Sequence, residues 1–100
     1  ALNFGKQADL DLDKVLGVIS GGAAQSWQME NRGSTMVRDE FDFGFAVDWM
    51  RKDLRICLAE ASNNGSELPV TALVAQFYAA LSHQSFGRND TSSLIRLLRR

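Results

Sequence analysis

The stretch FDFGFAVDWMRKDLRICLAEA, residues 41–61, decides the fold. Its periodicity is helical, yet Lys52 and Asp53 interrupt it midway among Phe, Trp, Met, Leu and Ile. At an advance of about 100° per residue, Asp48, Arg51 and Arg55 fall on one solvated side, with Asp48 and Arg51 spaced for an i, i+3 pair. The broad opposite side carries Ala46, Val47, Met50, Leu54, Cys57, Leu58 and Ala61, a core face. Phe45, Trp49 and Ile56 form a second apolar flank. Lys52 lies on the border between that flank and the charged stripe, and Asp53 lies between the two apolar groups. A carboxylate so placed must find hydrogen bonds or a cation, or raise its pKa. Two readings stay open. Asp53 is a structural carboxylate served by donors in SWQMENRG, residues 26–33, such as Arg32, or it shares a cleft wall with Phe45 and Lys52. Periodicity alone favours the first.

Outward from this helix, the chain reads as five or six helical segments with short linkers and no strand. The first ends near Gln7. The second begins near Asp13, whose carboxylate can cap free N–H groups, and stops at Gly21-Gly22. The third spans roughly Ala24 to Met36, polar except for Trp27 as its core anchor, with Gly33 as a break or kink. The central helix runs from about Gly44 to Asn63 and stops at Asn64-Gly65. Pro69 suits the first turn of the next, because the N–H it lacks would be unpaired there anyway. Val70, Leu73, Val74, Phe77, Tyr78 and Leu81 then form one apolar stripe. Gly87 closes the following connection, and Asp90 or Thr91 caps a last helix bearing Leu94, Ile95, Leu97 and Leu98. The fold class is all-α, one compact domain over residues 1–100.

Composition bounds the functions. A chain of 100 residues with 45% apolar content and a net charge of −1 supports a small core. It lacks the basic excess that a nucleic-acid binder needs to release counterions. The basic end RLLRR is a charge-compensated helix terminus. Cys57 is alone, which excludes an internal disulfide and metal-ligand spacing, fits a reducing compartment and reads as a small core residue. His83 is also alone and reads as a capping or solvated histidine. No apolar run is long enough to span a membrane, and no signal peptide opens the chain. The opening ALNFGKQADLD, without Met or cap, reads like a helix already in progress, so the chain is expected to be part of a longer protein.

Three strings taken together, SGGAAQSWQMENRGSTM (residues 20–36), FDFGFAVDWMRKDLRICLAEA and LPVTALVAQFYAAL (residues 68–81), resemble the C-terminal helical domain of the β-hydroxyacid dehydrogenases. That family includes 3-hydroxyisobutyrate dehydrogenase and tartronate semialdehyde reductase, with 6-phosphogluconate dehydrogenase more distant. The resemblance implies an N-terminal Rossmann domain with a G-x-G-x-x-G turn and a catalytic Lys upstream of Ala1, neither of which this chain contains. Residue by residue, it implies that Lys52 contacts an NAD or NADP cofactor, that Phe45 lines the same pocket, and that Asp53 stands at the substrate end. It further implies hydride transfer between a small 3-hydroxy acid and its aldehyde or keto form, a homo-oligomer (dimer or tetramer), and a cytoplasmic enzyme whose helical domain alone is inactive. Relatives often carry small residues after KDL where this chain has Arg55 and Ile56, so no substrate is named. The competing reading is a free-standing helical interaction module using DWMRKDLR as its face. It accounts for the apolar stripes but not for several motifs matching one family in order.

Overall fold

The computed structural model describes residues 1–99, and among them every regular element is helical apart from an isolated antiparallel bridge between Ala46 and Asp90. Five α-helices come first: α1 (Leu2–Gln7), α2 (Leu12–Ile19), α3 (Trp27–Arg38), α4 (Val47–Asn64) and α5 (Pro69–Leu81). A π-helical turn (Ser82–Phe86) and a 3-10 helix (Thr91–Leu98) follow.

Local chemistry sets the boundaries. Asp11, rather than Asp13, caps α2, its carboxylate accepting from the backbone N–H groups of Asp13 and Lys14 at 3.2 Å. Ser26 caps α3 by accepting from Met29 N at 3.0 Å, so that helix starts later than Ala24 and runs on to Arg38. Gly33 does not break it: a methyl there would lie 2.6 Å from Leu16 Cδ2, so glycine lets α2 and α3 approach closely. Gly44 stands outside α4, at φ 74°, a backbone region that side chains disfavour. The central helix therefore begins at Val47, three residues later than its periodicity implies. It ends at a left-handed Gly65, and Pro69 opens α5, as the turn chemistry requires.

Val47, Tyr78 and Leu81 make the core, with Met50, Leu54, Val74, Phe86, Leu94 and Leu97 packed on it. Burial raises the Tyr78 pKa, and its hydroxyl donates to Thr91 O at 3.2 Å, tying α5 to the 3-10 helix. Several expected core positions are elsewhere. Trp27, at the start of α3, is 59% exposed, and Cys57 is exposed because α4 packs mainly on α5 and leaves its other side open. The α5 stripe divides: Val74, Tyr78 and Leu81 turn inward, while Val70, Leu73 and Phe77 stay exposed.

The 3-10 helix is the seam. It packs on α5 on one side and α3 on the other, linking the α4–α5 pair to an arm made of α1, α2 and α3. The arm makes the domain long, 46 × 32 × 23 Å, with a radius of gyration of 15.0 Å. A closely packed chain of this length would have about 13 Å. Basic residues at the C-terminal end close the seam. Arg96 lies over the rings of Phe41 and Phe86, at 4.8 and 4.3 Å from their centroids, and with Arg99 it holds Asp39, the left-handed residue ending α3. The turn after α5 reverses at Ser85, φ 70°, and not at Gly87. Glycine is needed at 87 because a methyl would stand 2.5 Å from the Asp48 carboxylate.

Candidate functional site

Lys52 and Asp53, the two candidate site residues of the central helix, are partly exposed neighbours, with Lys52 at the rim of a crease between α4 and α5. Lys52 Nζ is 3.0 Å from Asp53 Oδ1, and the two side chains are 45% and 47% exposed. The ammonium also sits 5.6 Å from the centroid of the Trp49 ring, one turn back on the helix. Trp49 and Ile56 are themselves exposed. Asp53 is thus not wedged between packed apolar surfaces. Exposure and Lys52 satisfy it, and the donor expected for its structural role is used elsewhere: Arg32 pairs with Asp90.

Phe45 stands just ahead of α4, its ring exposed and its backbone fixed on both sides. Its N–H donates to Asp90 Oδ1 at 2.9 Å, and its carbonyl accepts from Thr91 N at 2.9 Å. Trp49 lies between it and the Lys52–Asp53 pair in sequence, and all four side chains are at least partly exposed. Phe43 and Trp27 are also exposed, with the Arg32 guanidinium 5.0 Å from each of their ring centroids.

The crease between α4 and α5 has a volume of about 630 Å³, with Asp48, Arg51, Lys52 and Arg55 facing Ala75 and Ala79. It is open, and of the three candidate site residues only Lys52 lines it. Ser82 bridges its rim, donating to Asp48 Oδ1 at 3.0 Å and accepting from Arg51 at 2.9 Å.

What periodicity missed is the cluster around Asp90. This carboxylate is 1% exposed and accepts from Phe45 N, Arg32 Nε, Ser92 N and the Ser92 hydroxyl. Burial is the largest single influence on its pKa and acts to raise it. The Ser92 hydroxyl, the two backbone donors and the Arg32 charge together outweigh burial and hold the carboxyl below its ordinary range. The capping role of Asp90 was legible in NDTSS. Its reach to Arg32 and Phe45 joins positions 58 and 45 residues apart, which no local pattern encodes.

The donor set suits a nicotinamide cofactor better than a metal. An ammonium and a carboxylate in a half-exposed pair lie beside an aromatic face, whereas no group of three or more His, Cys, Asp or Glu close enough to hold a metal occurs among the described residues. No described helix is long and apolar enough to cross a membrane.

Comparison with known proteins supplies the class to which this all-helical chain belongs, a family of nicotinamide-dependent dehydrogenases. Residues 1–98 match the family described as NAD-binding of NADP-dependent 3-hydroxyisobutyrate dehydrogenase, and the chain belongs to that family. It is 62% identical over 94 residues to an uncharacterized oxidoreductase of Shewanella frigidimarina, covering 94% of this chain and 32% of that protein. It is 38% identical over 99 residues to the probable 3-hydroxyisobutyrate dehydrogenase-like 1, mitochondrial, of Arabidopsis thaliana, covering 99% of this chain and 30% of that protein. Its fold matches the crystal structure of 3-hydroxyisobutyrate dehydrogenase from Salmonella typhimurium with a TM-score of 0.86 at 26% identity, over 96% of this chain and 34% of that one. The chain spans about a third of the length of the curated relatives it matches.

Proposed function

We propose that this chain is the C-terminal helical domain of an NAD(P)-dependent oxidoreductase that interconverts a small 3-hydroxy acid and its aldehyde or keto form. The observation that carries the reading is the Lys52–Asp53 pair, half in water on α4 beside exposed Trp49, with exposed Phe45 just ahead of the helix. Exposed aromatic side chains rimmed by charge are the kind of surface that a partner domain or a ligand covers. A Rossmann domain of the same polypeptide supplies the opposite wall and the catalytic lysine, and this domain alone does not turn over. The interaction-module reading explains these exposed side chains equally well but leaves the family membership without a cause.

When bound, the nicotinamide supplies the hydride chemistry, and the protein supplies position and charge. Lys52 holds the cofactor's polar groups with its ammonium. An exposed ion pair is worth only about 0–1 kcal/mol, so Lys52 can leave Asp53 for a ligand at small cost. Phe45 excludes water beside the nicotinamide. Asp53, released, accepts a hydrogen bond from the substrate's hydroxyl end. The enzyme is a homo-oligomer, a dimer or tetramer, with exposed Val70, Leu73 and Phe77 available to a partner subunit. An exposed unpaired Cys57 fits a reducing, cytoplasmic setting.

The test is made on the full-length protein. Short 3-hydroxy acids are offered with NAD or NADP, and formation of the reduced nicotinamide is followed by its absorbance. Turnover that is lost in Asp53→Ala while the melting temperature holds supports the assignment. An unchanged cofactor Kd in Lys52→Ala removes Lys52 from the site.

A further inference from the structure

Phe45 is the one proposed site residue outside a helix, and its ring is exposed. With no helix to orient it, its direction follows from its backbone. That backbone belongs to the segment 41–48, which is laced to residues 87–91. Asp90 N donates to Phe41 O at 2.9 Å, Thr91 N to Phe45 O at 2.9 Å, Val47 N to Asn89 O at 2.8 Å and Asp48 N to Gly87 O at 2.9 Å. One side chain completes the lacing: Asp90 Oδ1 accepts from Phe45 N at 2.9 Å.

The other oxygen of the same carboxylate reaches two further elements. Asp90 Oδ2 accepts from Arg32 Nε of α3 at 3.1 Å and from Ser92 N of the 3-10 helix at 3.1 Å, with the Ser92 hydroxyl beside it. Arg32 is itself held between the rings of Trp27 and Phe43. Three segments far apart in sequence therefore converge on one buried charge. The fit around it is close. Gly44 takes φ 74°, and a methyl there would overlap Asp90 Oδ1 and lie 2.9 Å from Arg32 NH2.

We propose that Asp90, clamped by Arg32 and Ser92, is the positioning residue for Phe45, fixing where that ring meets the nicotinamide. The inference rests on the reading that Phe45 lines the cofactor cleft. A carboxylate offers only acceptors, and all the groups around Asp90 are donors. An amide in its place keeps an acceptor for Phe45 N but turns donor hydrogens toward Arg32 or Ser92, so the side chain rotates or withdraws. The Phe45 backbone moves with it, while Lys52, one and a half turns into α4, stays in place.

The experiment is a double-mutant cycle in the full-length enzyme, read as the Kd of the reduced cofactor by its fluorescence, which depends on folded protein and not on turnover. Phe45→Ala and Asp90→Asn are each expected to raise Kd about tenfold, and in the Phe45→Ala background Asp90→Asn is expected to add less than about twofold, since coupled residues are not additive. Unchanged Kd in Phe45→Ala removes Phe45 from the cleft and takes both readings with it. Raised Kd in Phe45→Ala with unchanged Kd in folded Asp90→Asn, or two fully multiplicative effects, overturns the role of Asp90 alone. If Asp90→Asn does not fold, Ser92→Ala removes only the hydroxyl that bonds the same oxygen, and it is expected to raise Kd about twofold in the parent and not at all beside Phe45→Ala. An equal rise in both backgrounds counts against the proposal.

Discussion

The domain contains two ion pairs of opposite character. Arg32 and Asp90 are 18% and 1% exposed, joined at 3.1 Å and surrounded by donors from three segments. Lys52 and Asp53 are neighbours in sequence, joined at 3.0 Å and about half in water. The first pair has nowhere to go. Separating it leaves a charge buried without a partner, so it holds the architecture and is not free to exchange partners. The second pair gives up little when opened, so its charges are available to something else. Burial, more than pairing itself, separates a charge fixed in the scaffold from one free to exchange partners in this chain.

The sharpest way to break the contrast is to delete both carboxylates and compare stability. Asp90→Ala leaves Arg32 uncompensated and three donors unpaired, and is expected to cost about 3–5 kcal/mol in chemical denaturation. Asp53→Ala is expected to cost less than about 1 kcal/mol in the same measurement. Comparable losses would mean that Asp53 is a structural carboxylate after all. In full-length enzyme the order reverses for catalysis. Asp53→Ala is expected to lower kcat/KM for the hydroxy acid about 10- to 100-fold, the worth of one charged hydrogen bond.

Why one pair was legible and the other was not follows from how each is encoded. Helical angle placed Lys52 on a boundary and could mark the Lys-Asp doublet as unusual, since both residues sit in one helix. It also predicted the left-handed stop at Gly65 and the entry of α5 at Pro69, because turn chemistry is local. It failed where a neighbour decides. Gly33 read as a kink but answers to Leu16, and Gly44 read as helical but answers to Asp90. Trp27 and Cys57 read as core, yet the apolar content of a helix does not say which of its flanks will find a partner. The structural reading of Asp53 names Arg32 among its donors, and Arg32 instead pairs with a different carboxylate, Asp90. Resemblance to a family, and not periodicity, favoured the Lys52–Asp53 pair as a site.

Lys52→Ala sharpens the contrast from the cation's side. In the full-length enzyme it is expected to weaken the cofactor about tenfold, close to 1.4 kcal/mol, with the melting temperature unchanged. Arg32→Lys is the matching change in the buried pair. Lysine keeps the charge but loses the planar stacking between Trp27 and Phe43, so the melting temperature is expected to fall while the isolated charge–charge attraction is retained. A stable Arg32→Lys variant would mean that charge alone, without the aromatic clamp, holds Asp90.

The smallest effect concerns acid. Asp90 and Asp39 both have pKa values held below the ordinary 3.8, Asp90 against the opposing pull of burial and Asp39 chiefly by its hydrogen bond from Arg96. A carboxyl depressed in the folded state contributes stability that is fully present above its unfolded pKa and is lost as pH falls through the lower folded value. The melting temperature should therefore begin to drop near pH 4, and Asp90→Asn and Asp39→Asn should each flatten that limb. Salt tells them apart. Asp39 is half exposed, so concentrated salt should screen its share of the limb, whereas the share of the buried Asp90 should persist. Equal loss of both in salt would place Asp90 within reach of solvent, and the clamp on Phe45 would then be open.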